Sequence, residues 1–97
     1  MTRIIIESAK KQDIQPIVKA ALAAEAQKLE IGLKRTRDQL REFEERYGVA
    51  TVEFIERMTV EDLAGGDLEY VEWIGESRLL QKIEADLAAL KDIEYAD

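Results

Sequence analysis

This 97-residue chain contains no cysteine and no histidine. The side chains that could do chemistry are therefore mainly its 21 carboxylates and its 14 lysines and arginines. Thiolate nucleophiles, the usual general base and most transition-metal ligands are therefore missing. A di-iron site would need Glu-x-x-His pairs, and calcium would need an Asp-rich loop that the sequence lacks. We interpret the clustered carboxylates as a solvated acidic face, and expect no catalytic residue, metal site or cofactor. These carboxylates are Glu53 and Glu56, Asp62 and Asp67, and Glu69, Glu72 and Glu76.

The densest basic segment is Lys34-Arg35-Thr36-Arg37, with Arg41 one helical turn later. One interpretation is phosphate contact, because Arg37 and Arg41 would share a helix face. The other is a solvated helix face with ordinary ion pairs four residues apart. No aromatic residue interrupts the segment, which disfavours binding of single strands. The candidate phosphate contacts are Lys34, Arg35, Arg37 and Arg41.

The segment from Asp67 to Glu76 contains the only tryptophan and alternates aromatic with acidic residues. Trp73 could be a core anchor that closes the fold against Phe43 or Tyr47. It could instead belong to an exposed aromatic hot spot ringed by acids, suited to a basic partner. The second interpretation assigns partner binding to Glu69, Tyr70, Glu72, Trp73 and Glu76.

Charge is distributed unevenly around a net value of −7. Residues 1–41 carry nine basic and five acidic side chains, whereas residues 42–97 carry five basic and sixteen acidic ones. A chain of this kind can face partners of two charge types, or fold both signs onto one surface.

The elements that position these residues are predicted to be helices. Apolar or small residues recur at 22, 26, 29, 33, 36, 40, 43 and 47, a heptad spacing of four and three. It predicts a helix over 13–47, capped by Asp13 and stopped at Gly48. A short helical connector over 51–64 and a last helix over 68–93 follow. The buried positions expected in the last helix are Tyr70, Val71, Trp73, Ile74, Leu80, Ile83, Leu87 and Leu90.

Residues 2–8 are predicted to form a short strand, because Ile4, Ile5 and Ile6 are adjacent β-branched residues. The fold expected is mainly all-α: a single domain over 1–97 with two long antiparallel helices. A lone strand and a two-helix hairpin leave backbone and apolar groups without partners. We therefore expect a homo-oligomer, a dimer or larger, or pairing with the sheet edge of another protein. The strand would pair through the three isoleucines, and the oligomerisation seam would comprise Leu29, Leu33, Leu40 and Phe43. No apolar run is long enough to span a membrane, and a cytoplasmic location is expected.

Two segments resemble a group of small uncharacterised prokaryotic proteins whose genes lie beside toxin-like genes. They are Leu-Arg-Glu-Phe-Glu-Glu-Arg-Tyr-Gly-Val (40–49) and Asp-Leu-Glu-Tyr-Val-Glu-Trp-Ile-Gly-Glu (67–76). The resemblance covers residues 3 to about 90. It implies a non-catalytic, antitoxin-like protein that binds and neutralises a cognate toxin, and it assigns no binding residues. The alternatives are a small DNA-binding transcriptional regulator and a structural homo-oligomer without a toxin partner.

Overall fold

A computed structural model describes residues 11–95, with side chains from 14 to 93. Helix α1 spans Lys11–Tyr47, helix α2 spans Thr51–Arg57, a 3₁₀ turn spans Val60–Asp62, and helix α3 spans Gly66–Tyr95. Helices α1 and α3 pack as an antiparallel hairpin, and the described chain measures 61 × 21 × 19 Å. The prediction of a mainly all-α hairpin is therefore confirmed.

The element boundaries differ in detail from those predicted. Helix α1 already includes Lys11, so Asp13 lies inside it and is not its N-cap. Pro16 therefore lies in the second turn of α1, where its missing N–H leaves one intrahelical hydrogen bond unmade. The predicted connector over 51–64 is divided, because Met58 and Thr59 have extended backbone between α2 and the 3₁₀ turn. The predicted strand over 2–8, with Ile4, Ile5 and Ile6, lies outside the described residues.

Every position of the heptad seam from 22 to 47 is buried or half-buried. The seam packs against α3 in two apolar clusters. One contains Leu33, Ile83 and Leu87, and the other contains Leu40, Phe43, Phe54, Leu63 and Trp73. The residues predicted to form an oligomerisation seam, Leu29, Leu33, Leu40 and Phe43, thus lie inside one chain. A heptad pattern does not encode which helix covers it, and here α3 of the same chain does so.

The last helix buries fewer residues than its composition suggests. Trp73, Ile83 and Leu87 are buried as predicted, whereas Val71 is 66% exposed. Val71 is two residues, or about 200°, from Trp73, so it lies on the opposite side of a helix that has one main neighbour. The remaining predicted positions, Tyr70, Ile74, Leu80 and Leu90, are half-buried.

Two polar residues are buried along the seam, although Leu80 packs against both apolar clusters. Thr36 is fully buried and Ser77 is 9% exposed. The hydroxyl of Thr36 has no hydrogen-bond partner among the described residues. A buried polar group left unpaired costs about 1–3 kcal/mol, so Thr36 weakens an otherwise apolar part of the seam.

We predict that Thr36→Val raises the free energy of unfolding by about 1 kcal/mol, because valine has a similar shape and no hydroxyl to desolvate. Chemical denaturation followed by circular dichroism measures the change.

Thr59→Val is the control for that substitution. The Thr59 hydroxyl and backbone N–H both donate to Asp62, at 3.3 and 2.8 Å, ahead of the 3₁₀ turn. Loss of the hydroxyl there should lower stability by about 0.5–1 kcal/mol. An equal decrease in the free energy of unfolding in both variants would show that the Thr36 hydroxyl has a hydrogen-bond partner in solution.

Candidate partner-binding surface

Trp73 is the centre of an aromatic stack at the closed end of the hairpin. Its ring lies parallel to Phe54 with centroids 3.8 Å apart, and Phe43 stacks on it at 5.1 Å. Tyr47 is a third stacked neighbour at 5.7 Å. Trp73 is fully buried. The structure thus agrees with the core-anchor interpretation, and Trp73 is not an exposed hot spot. Phe54 was missed as a stacking partner, because nothing in the pattern distinguishes it from its apolar neighbours on α2.

A chain of hydrogen bonds ties the same tryptophan to α1 and α2. The Trp73 Nε1–H donates to Thr51 Oγ1 at 3.1 Å, and the Thr51 hydroxyl donates to Glu44 Oε2 at 2.9 Å. The backbone N–H of Thr51 donates to the same carboxylate oxygen at 2.7 Å. Glu44 of α1 therefore accepts an N–H at the start of α2, which holds the short helix over the stack.

Glu69 is mostly buried and is held by an ion pair and hydrogen bonds within the fold. Its carboxylate pairs with Arg46, accepts the Tyr47 hydroxyl, and accepts the Gly65 N–H at 3.3 Å. The side chain is 12% exposed. Gly65 has to be glycine for this approach, because a Cβ there would lie 2.8 Å from the Glu69 Cβ. Tyr47 also accepts the Ala64 N–H at 3.0 Å, so the network fixes the turn before α3.

The predicted acidic and aromatic face is therefore not assembled as one exposed surface. Glu72 is exposed, whereas Tyr70 is half-buried and meets Phe54 edge-on at 5.3 Å. Glu76 is half-buried, and its Oε2 is buried with no partner among the described residues. Together with Glu69 and Trp73 in the interior, this leaves Glu72 as the one exposed member of the predicted face.

A different set of residues is exposed at the same end, over residues 51–72, which we call the acidic end. It contains seven carboxylates and one basic residue, Arg57, which pairs with Glu53 at 3.7 Å. Large aliphatic side chains are exposed beside them: Val52 at 67%, Ile55 at 45%, Leu68 at 69% and Val71 at 66%. Four exposed carboxylates have no ion pair or hydrogen bond within the described residues: Glu56, Glu61, Asp67 and Glu72.

The basic segment is partly neutralised by nearby acids, and Lys34 forms one pair of the predicted kind, four residues apart. Asp38 lies 3.0 Å from Lys34 and 3.7 Å from Arg41. Arg37 lies 3.4 Å from Glu84 of α3. Arg35 is exposed. Exposed pairs of this kind contribute little stability, and the phosphate contact of Lys34, Arg35, Arg37 and Arg41 stays a prediction.

The described residues contain no cluster of three or more side chains able to hold a metal ion. Within 11–95, no helix combines the length and apolarity needed to cross a bilayer. Comparisons with protein-family models, curated proteins and solved structures gave no match.

We predict that Thr51→Val lowers the free energy of unfolding by about 1–3 kcal/mol. The substitution leaves the buried Trp73 N–H unpaired and removes one of the two bonds from Thr51 to Glu44. The reciprocal change at the exposed neighbour, Val52→Thr, should stay within about 0.5 kcal/mol. Urea denaturation followed at 222 nm compares the two, and an equal effect would contradict the role given to Thr51.

We also predict that two glutamates of the predicted face respond differently to the same substitution. Glu69→Lys should lower stability by about 2 kcal/mol or more, because it places a second cation beside Arg46 and leaves the Tyr47 hydroxyl without its acceptor. Glu72→Lys should change stability by less than about 0.5 kcal/mol, because Glu72 is exposed. Thermal melting of both variants tests this, and similar melting temperatures would refute the structural role of Glu69.

Proposed function

We propose that this protein is a non-catalytic interaction protein whose acidic end binds a basic protein partner. The observation that carries the proposal is the exposure of four large aliphatic side chains among carboxylates that have no internal partner. Exposed aliphatic groups supply apolar area for binding, and the surrounding charges select a partner of opposite sign.

The partner class that fits best is a toxin that acts on nucleic acid, bound and neutralised in the cytoplasm. Such an enzyme presents a basic surface to phosphates, and a cluster of carboxylates can occupy that surface in their place. The resemblance of residues 40–49 and 67–76 to antitoxin-like proteins supports the same class. The aromatic core beneath the acidic end supports it further, because a preorganised surface loses little entropy on binding.

A double substitution, Glu56→Lys with Glu72→Lys, tests this proposal. Both side chains are exposed and have no internal partner, so the fold should survive the change. The protein encoded by the adjacent gene is the binding probe, measured by surface plasmon resonance at several salt concentrations. We expect the association rate to fall at least about tenfold and to lose much of its salt dependence, because steering acts on the encounter.

The matched control carries the same charge change at the open end of the hairpin. Glu25 and Asp92 are also exposed, and Glu25→Lys with Asp92→Lys should change the association rate by less than about twofold. Equal effects of the two double variants would show that only net charge matters. If glutamine at Lys34, Arg35, Arg37 and Arg41 weakened binding instead, the acidic end would not be the binding surface.

A further inference from the structure

Gly75 is the one glycine of the chain that the fold itself does not require. The other four either have positive φ at a turn or have a side chain within 3.4 Å of the site of a Cβ: Gly48 and Gly66, and Gly32 and Gly65. Gly75 lies inside α3 and is exposed, and no other part of the fold comes within 4 Å of the position that a Cβ would take. Glycine inside a helix is less favourable than alanine, so α3 loses stability to keep this position open.

Two exposed aliphatic residues lie beside Gly75. Leu68 is 69% exposed and Val71 is 66% exposed. Spacings of three and four place 68, 71 and 75 on one side of α3, opposite the side that buries Trp73. We call these three positions the outer stripe. The stripe offers apolar area with a depression at Gly75, because glycine has no side chain to cover the helix backbone.

Carboxylates flank the outer stripe on both sides. At about 100° per residue, Asp67 lies about 40° beyond Val71 and Glu72 lies about 40° beyond Leu68, in opposite directions around the helix. Both acids are exposed, and neither has an ion pair or hydrogen bond within the described residues. A segment that covers the stripe therefore meets a free carboxylate along each edge.

We infer that the outer stripe docks a basic amphipathic helix of the partner protein. The inference rests on the proposed function, which assigns a basic partner to the acidic end, and it names the part of that partner that is held. The described residues contain no strand, so an extended segment would find no sheet edge to pair with. Anchors three and four residues apart are the pattern by which one helix packs along another, and 68, 71 and 75 present that pattern.

Gly75 sets how closely the docked helix approaches α3. Packed helices lie about 8–10 Å apart, and the shorter distance requires small residues at the contact. With the docked helix over Gly75, its aliphatic side chains lie against Leu68 and Val71, and lysines or arginines on its two flanks reach Asp67 and Glu72. Pairs on both sides of an apolar contact fix the rotation of the docked helix and exclude acidic segments.

Arg78 ends the stripe on the side of the open end of the hairpin. It lies three residues beyond Gly75 on the same side of α3, is exposed, and has no ion pair within the described residues. Arg78 repels cations, so the basic residues of the docked helix belong over 67–72. The stripe is about 18 Å long from 67 to 78, which is shorter than a standard interface, so the helix is the anchor of a wider contact at the acidic end.

Gly75→Leu tests the docking without weakening the fold. Leucine fills the depression and favours a helix more than glycine does, so the melting temperature should not fall. The dissociation constant for the protein encoded by the adjacent gene should rise at least about tenfold, mainly through faster dissociation, because the charges that steer the encounter are unchanged. Surface plasmon resonance measures both rates. Ala85→Leu, at an exposed alanine farther along α3, should leave the dissociation constant within about twofold.

The outcomes separate this inference from the proposed function. If Glu56→Lys with Glu72→Lys slows association while Gly75→Leu binds as the wild type does, the acidic end binds its partner but the docked helix is refuted. If the wild-type chain does not bind the adjacent protein at all, the proposed function fails and this inference fails with it.

Photo-cross-linking identifies the docked segment. The chain has no native cysteine, so Arg78→Cys carries a single benzophenone label at the end of the stripe without covering it. After irradiation of the complex with the adjacent protein, mass spectrometry should locate the cross-links on residues three and four apart in one segment of that protein. Cross-links on alternate residues would show an extended segment, and cross-links to a second copy of this chain would show self-association. Either result would overturn the inference.

Discussion

The stacking of Trp73 between Phe43 and Phe54 is the interaction on which the rest of the structure depends. A hairpin of two helices has one seam and cannot enclose a core by itself. The stack solves this at the closed end, because Phe54 brings α2 across the hairpin as a third side of the core. The Trp73 indole N–H and the Glu44 carboxylate both bond Thr51 and so fix α2. Thr51 therefore links the aromatic core to the start of that helix.

The same stack determines which residues are left for binding. The Trp73 indole is buried in the core and cannot contact a partner protein. The Glu69 carboxylate is already bonded to Arg46, Tyr47 and the N–H of Gly65. The surface available for the proposed binding therefore consists of side chains on the outer sides of α2 and α3. These side chains are aliphatic and acidic. They lie on helices that the aromatic core and its hydrogen bonds hold in place, which favours recognition through a preformed surface.

The sequence predicted well what depends on local pattern. The period of seven located the seam of α1, and Gly48 marked its end because it adopts φ +66° while its N–H bonds Glu44 O at 2.8 Å. That pattern could not predict the contacts that the connector over residues 51–64 makes with α1 and α3. Val52, Phe54 and Ile55 are all apolar, and Phe54 is the one that turns inward because Glu44 and Trp73 hold α2 through Thr51. The bonds of Glu69 to Arg46 and Tyr47 were equally unpredictable, because they depend on the turn that brings α3 back to the end of α1.

The two faces of α1 that carry large apolar residues contribute unequally to folding. The inner face presents leucines and Phe43, which bury large areas against α3 and stabilise one chain. The outer face leaves Ile17 and Ile31 at 69% and 66% exposure, so it contributes little to that stability. The connector adds to the inner face, because Glu44 holds the start of α2 and Glu69 holds the turn before α3. The hairpin therefore depends on one side of α1 and on the contacts that the connector makes at the closed end.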